Sequence, residues 1–189
     1  MRYVKFLPFL AVLAHAAPNS TPDLVLSVHN SNTRSAIVRL AEGQAERMLA
    51  GAGISVQWTI GQPLNRGPAE LIEAIITDQP DDSFRPGALA YATLGLQSGT
   101  RIEIFYNRIC AHGRDSEIPQ ILAHVLVHEI THILEGCNRH SETGIMKAHW
   151  DANDWRSLRR SSLPFASEDL RLLHSWSETH SRTLVAAHR

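Results

Sequence analysis

Ile118-Pro119-Gln120-Ile121-Leu122-Ala123-His124-Val125-Leu126-Val127-His128-Glu129-Ile130-Thr131-His132-Ile133-Leu134-Glu135-Gly136 is the stretch on which the reading of this chain turns. Its apolar residues recur at helical spacing, Pro119 is tolerated in a first turn, and Gly136 suits a helix end, so a helix is predicted from Ile118 to Leu134. On such a helix, positions four apart lie about 40° from one another in projection. His128 and His132 therefore present their imidazoles to one side, with Glu129 next to them.

Two imidazoles so placed can bridge one divalent ion, and zinc is the ion that histidine ligands favour. His140 follows Gly136 where the chain can double back, and three histidines leave one zinc position open for water and substrate. Glu129 can reach a water held by the metal and act as its general base during attack on a carbonyl. The structural alternative for His128 and His132 is a pair of packed core histidines, which needs several compensating hydrogen bonds. His124 shares the face but lacks a glutamate at the matching offset, and is expected to support the ligands or fill the core. His112 and His174 show no partner pattern.

Working outward, Leu24 to His29 and Ile54 to Trp58 alternate as strands, Thr33 to Leu49 repeats as a helix stopped by Gly51 and Gly53, and Glu70 to Thr77 is a third strand. Arg101 to Tyr106 alternates clearly. Ala88 to Thr93, with Pro and Gly before it, reads as an edge strand. A last helix is expected from Ser167 through Trp176, with Glu168 and Asp169 favourable in its first turn and a loose tail over 181–189. The fold class is α+β: a mixed twisted sheet with an antiparallel edge strand, a long helix bearing the histidines and a C-terminal helix.

A chain of 189 residues with 43% hydrophobic and 20% charged residues suits one globular domain. Residues 1–16 read as an export signal, with Arg2 and Lys5, an apolar run from Phe6 to Ala14, and Ala14-His15-Ala16 as a cleavage site. The alternative for that segment is an N-terminal strand or buried helix. Removing Arg2 and Lys5 takes the formal net charge from -1 to -3, which argues against a nucleic-acid partner, and nothing indicates a membrane role once the signal is gone. The Arg156, Arg159 and Arg160 cluster reads as a solvated helix face. Export, to the periplasm or the extracellular space, would let Cys110 and Cys137 form a disulfide; two unpaired thiols are the other reading.

His128-Glu129-Ile130-Thr131-His132, then Gly136, His140-Ser141 and Gly144-Ile145-Met146 with Trp150, resembles the metzincin zinc peptidases, in particular bacterial secreted matrixin-like proteins. The resemblance runs from about Leu24 to Trp176 and implies a secreted endopeptidase acting on peptide or protein substrates. It implies His140 as third ligand, Met146 as the floor beneath the metal, and Ala88, Leu89, Ala90 and Tyr91 as the edge strand against which a peptide lies. The chain departs from the family in three places. Gly136 and His140 stand four and eight residues beyond His132 where the family has three and six, Thr131 replaces a frequent glycine, and Ala148 stands where some members carry a tyrosine.

Two other readings remain beside the peptidase. In one, the protein is a secreted, non-catalytic zinc module in which Cys137 joins the three histidines to close the site. In the other, Glu168 rather than His140 is the distal ligand. His149 is a candidate helper for the oxyanion, with a surface histidine as the plainer alternative.

Overall fold

The computed structural model describes residues 22–30, 35–61, 69–78, 84–95 and 99–187. The segment read as an export signal and the loops over 62–68 and 79–83 lie outside the described residues. Ten elements follow in the order β1 (Leu24–Asn30), α1 (Ser35–Gly51), β2 (Val56–Ile60), β3 (Glu70–Thr77), β4 (Ala90–Gly95), β5 (Gly99–Phe105), α2 (Tyr106–Cys110), α3 (Ile118–Glu135), α4 (Ala152–Leu158) and α5 (Ser167–Ala187). The class is α+β, as the alternation of strand and helix patterns predicts.

The five strands form one sheet in the order β2-β1-β3-β5-β4. All neighbours are parallel except β4, which runs antiparallel to β5 as the outermost strand. Alternate residues of each strand point to one face, and on that face Leu24, Leu26, Val28, Ile72, Ala74, Ile76, Ile102 and Ile104 are buried. Helix α1 covers them with Val38, Ala41, Ala45 and Leu49. Helix α3 lies alongside α1 and also touches β4, β5 and α5. Enclosure on so many sides explains why α3 is apolar around most of its circumference and not only along one stripe.

Several boundaries differ from those the sequence suggests. Strand β2 begins two residues late because the end of α1 keeps the chain: Gly53 adopts φ 81° and the Ile54 amide donates to Leu49 O at 3.0 Å. The edge strand begins at Ala90, so Ala88 and Leu89 precede it. The Ala88 carbonyl is taken by Arg108 Nη1 at 2.7 Å, whereas the Leu89 carbonyl still accepts from Phe105 N at 2.9 Å. Residues 181–187 continue α5 where a loose tail is expected, since no Gly or Pro interrupts the run and Arg182 faces Glu178 one turn back at 3.8 Å.

Cys110 and Cys137 are both free and exposed, so the expected disulfide does not form. Three residues after Cys110, Gly113 lies against Ile121 in the first turns of α3, whereas Cys137 follows the far end of that helix. Eighteen residues of helix span about 27 Å, well beyond the separation of under about 7 Å that a bridge requires. No helix among the described residues is long and apolar enough to cross a membrane.

Candidate metal centre

Helix α3 ends at Gly136, which takes the left-handed conformation (φ 65°) open to glycine and donates its amide to Ile133 O at 3.1 Å. His128, Glu129 and His132 occupy its last two turns. Thr131, the residue that departs from the family pattern, is fully buried, and its hydroxyl donates to Val127 O at 2.7 Å. A back-bond to the preceding turn thus supplies the partner that a buried hydroxyl needs.

His128 Nδ1 lies 2.9 Å from Ile145 O, and His132 Nδ1 lies 3.2 Å from Cys137 O. A carbonyl can only accept, so each Nδ1 carries the hydrogen and each neutral ring has a bare lone pair on Nε2. Those two Nε2 atoms are 3.0 Å apart. Two lone pairs at that separation repel unless a cation lies between them. Tetrahedral zinc with bonds of 2.0–2.1 Å sets two nitrogens about 3.3 Å apart, so the pair fits a shared metal. His140 brings a third nitrogen, and the ligand atoms of all three histidines lie within 4.8 Å of one another. The three rings can hold a metal ion.

Burial favours the form that binds metal. It pushes the pKa of both His128 and His132 down to about 4, against the upward pull of their carbonyl partners. His140 is lowered too, by desolvation first and then by the nearby His149 and Arg139. At neutral pH the imidazoles are therefore uncharged ligands.

Gly144-Ile145-Met146 organises the underside. Gly144 has φ 77°, and a Cβ there would lie 2.2 Å from Pro164 O, so glycine is required both by conformation and by space. The turn places the Ile145 carbonyl where it accepts from His128 and, at 3.1 Å, from Trp150 Nε1. Met146 is fully buried, and its carbonyl accepts from Ser141 N at 2.8 Å. The turn thus braces His128 on one side and the His140 loop on the other.

Glu129 is 8% exposed and faces β4, where the Ala92 amide donates to its carboxylate. Burial raises its pKa to about 7, and the Ala92 hydrogen bond only partly offsets this. The same edge strand carries Tyr91 and Thr93 at the surface. A carboxylate of near-neutral pKa thus lies against the edge strand, one residue along α3 from His128.

Other candidates fall away from this cluster. His124 is a packing residue, donating from Nδ1 to Gln120 O at 2.7 Å and accepting from Leu163 N at 3.0 Å. Glu168 pairs with Arg171 at 2.6 Å on the surface of α5. His112 stacks on Trp155, and His174 lies beside Gly53. His149 is exposed and near enough to His140 to disfavour its protonation. The Cys137 thiol lies 4.0 Å from Glu135 Oε2 and outside the histidine cluster. A shallow surface hollow lined by Gln44, Arg47, Gln120, Ser161 and Ser162 sits toward the opposite end of α3, away from the histidines.

One residue of consequence goes unread in the sequence. Asp169 looks like an ordinary first-turn acid, yet it is fully buried and bonded to Arg139 and Ser141, the two neighbours of His140. Its signal, an acid beside the cap of a helix, is shared by many residues without such a role. Comparison with protein-family models, characterised proteins and solved structures finds no match to this chain, so the centre stands on its own geometry.

Proposed function

We propose that this chain is a secreted zinc-dependent endopeptidase of the metzincin type. The observation that carries the reading is the pair of bare His128 and His132 nitrogens with His140 beside them and the buried Glu129 carboxylate one residue along. The parallel sheet, its antiparallel edge strand next to α3, the glycine-bounded helix end and the buried methionine turn agree with what the resemblance implies. The basic start, apolar run and small-residue site read in residues 1–16 are the support for secretion.

Zinc held by His128, His132 and His140 would supply Lewis acidity and a water of lowered pKa. The remaining work falls to the chain. Glu129, with a pKa of about 7, takes the proton of the attacking water on its carboxylate and returns it to the departing amine nitrogen. The outer edge of β4 offers backbone groups to an extended peptide, which would add as a further strand and bring its scissile carbonyl to the site. Extended polypeptide is therefore the substrate class. The closed zinc module draws no support from Cys137, whose thiol lies beside Glu135 and outside the histidine cluster.

Elemental analysis of the mature protein, paired with a chelator-sensitive assay on a mixed peptide library, tests the reading. About one zinc per chain and cleavage lost on chelation are expected. Glu129→Ala should retain zinc and lower turnover by roughly 10²–10⁴-fold or more, because the base and not the metal site is removed. Undiminished turnover in that variant would refute the mechanism.

A further inference from the structure

We infer that Asp169 positions the third metal ligand by clamping both chain neighbours of His140, an inference that rests on reading His128, His132 and His140 as the metal centre. Asp169 Oδ1 accepts from Arg139 Nη2 at 2.5 Å and from Ser141 Oγ at 2.6 Å. Arg139 Nη1 donates in turn to Ser141 Oγ at 2.9 Å, closing a three-membered ring of contacts around one carboxylate oxygen. The other oxygen accepts from Ala166 N at 2.9 Å, so Asp169 is anchored to the residue that leads into α5 as it holds the loop.

Residues 139 and 141 thus reach α5, while residue 140 between them reaches the histidines of α3, with ring centroids 5.4 Å from His128 and 4.8 Å from His132. His140 is exposed and stands on a loop of irregular structure, eight residues beyond His132. A loop of that length samples many conformations, and a ligand on it binds weakly unless its position is fixed beforehand. Arg139 also bonds Glu135 at 2.9 Å, and the Ser141 amide donates to Met146 O, so the clamp joins the end of α3, the methionine turn and α5. Full burial protects the Asp169 contacts from competition by water. The two-residue excess of this loop over the family spacing is therefore matched by a tie that fixes its third ligand.

The test is a cycle of zinc dissociation constants, measured by competition with a chromophoric chelator, for Asp169→Asn and Ser141→Ala in the native and His140→Ala backgrounds. In the native background Asp169→Asn is expected to weaken zinc roughly 10- to 100-fold, the range seen when a group supporting a metal ligand is removed. Ser141→Ala should weaken it several-fold. With His140 replaced, neither should change affinity by more than about twofold, because the residue they position is gone. Equal losses in both backgrounds would show that Asp169 serves only general folding, and would overturn the clamp. If Asp169→Asn does not fold, the Ser141→Ala pair decides by the same criterion. A native chain that holds no zinc overturns the metal centre and the clamp together, whereas zinc held with additive losses overturns the clamp alone.

Discussion

The protonation of a few buried side chains sets an acid limit for the metal-free protein. His128 and His132 have folded pKa values of about 4, below the usual 6.5, so between those values the unfolded chain binds more protons and stability falls as pH drops. Glu129 acts in the opposite sense: its folded value of about 7 exceeds the ordinary 4.5, so the stability it contributes is present below about 4.5 and lost as pH rises through 7. Two imidazoles outweigh one carboxylate. The melting temperature of the chelated protein is therefore expected to fall on acidification from pH 6.5 to 4.5, and more steeply in Glu129→Gln, where the opposing group is absent. A pH-independent melting temperature across that window would contradict the burial argument. At this scale the histidine cluster is legible because rings that can share one ion stand at a set helical spacing. Asp169 is not, because its partners arrive from a loop 28 and 30 residues away.

The turn at Gly144 illustrates how much a short element can demand. Alanine there must adopt φ 77° and displace the Pro164 carbonyl, which would stand 2.2 Å from the new methyl. Left-handed backbone alone costs about 1–2 kcal/mol for such a residue, and the displacement adds to it. Since 1 kcal/mol shifts the melting temperature of a domain this size by roughly 2–4 °C, Gly144→Ala should lower it by about 5 °C or more. Gly51→Ala is the control, with no positive φ and nothing within 4 Å of its added methyl, and should be neutral or slightly stabilising. Among the longer elements, α3 and β3 were readable to within a residue because their apolar periods are long and their ends carry Pro or Gly. Nothing in the sequence marks helix α2, which has five residues and no side-chain cap. Helix α4 shows in the sequence only as a face of arginines, whereas its capping box of Asp151 and Asp154 depends on the backbone. The edge strand was displaced because an arginine side chain, which no period reveals, takes the Ala88 carbonyl.

On the scale of the whole molecule, a metal held by the three histidines would be linked to the fold through the meeting of α3, the Gly144 turn and α5. A ligand that binds only the folded chain stabilises it by about 2.7 kcal/mol at a hundred times its dissociation constant. Zinc at that excess should raise the melting temperature by roughly 5–10 °C over the chelated protein, and His140→Ala should lose much of the gain. An unchanged transition would detach the centre from the fold. The class and element order followed from alternating periods, whereas the sheet order β2-β1-β3-β5-β4 depended on pairings between segments far apart, which local patterns do not encode.

Burial of Asp169 also gives the molecule a timetable. A ribosome makes the chain from its amino end, so His128, His132 and His140 exist before the carboxylate that holds the last of them, 30 residues beyond Arg139. Until α5 has been made and docked, residue 140 hangs on an unfastened loop. A nascent chain, or one cut short ahead of residue 169, would carry all three imidazoles with the third unfastened. If the chain is the exported peptidase proposed above, such lateness would spare the neighbouring polypeptides of the cell that makes it.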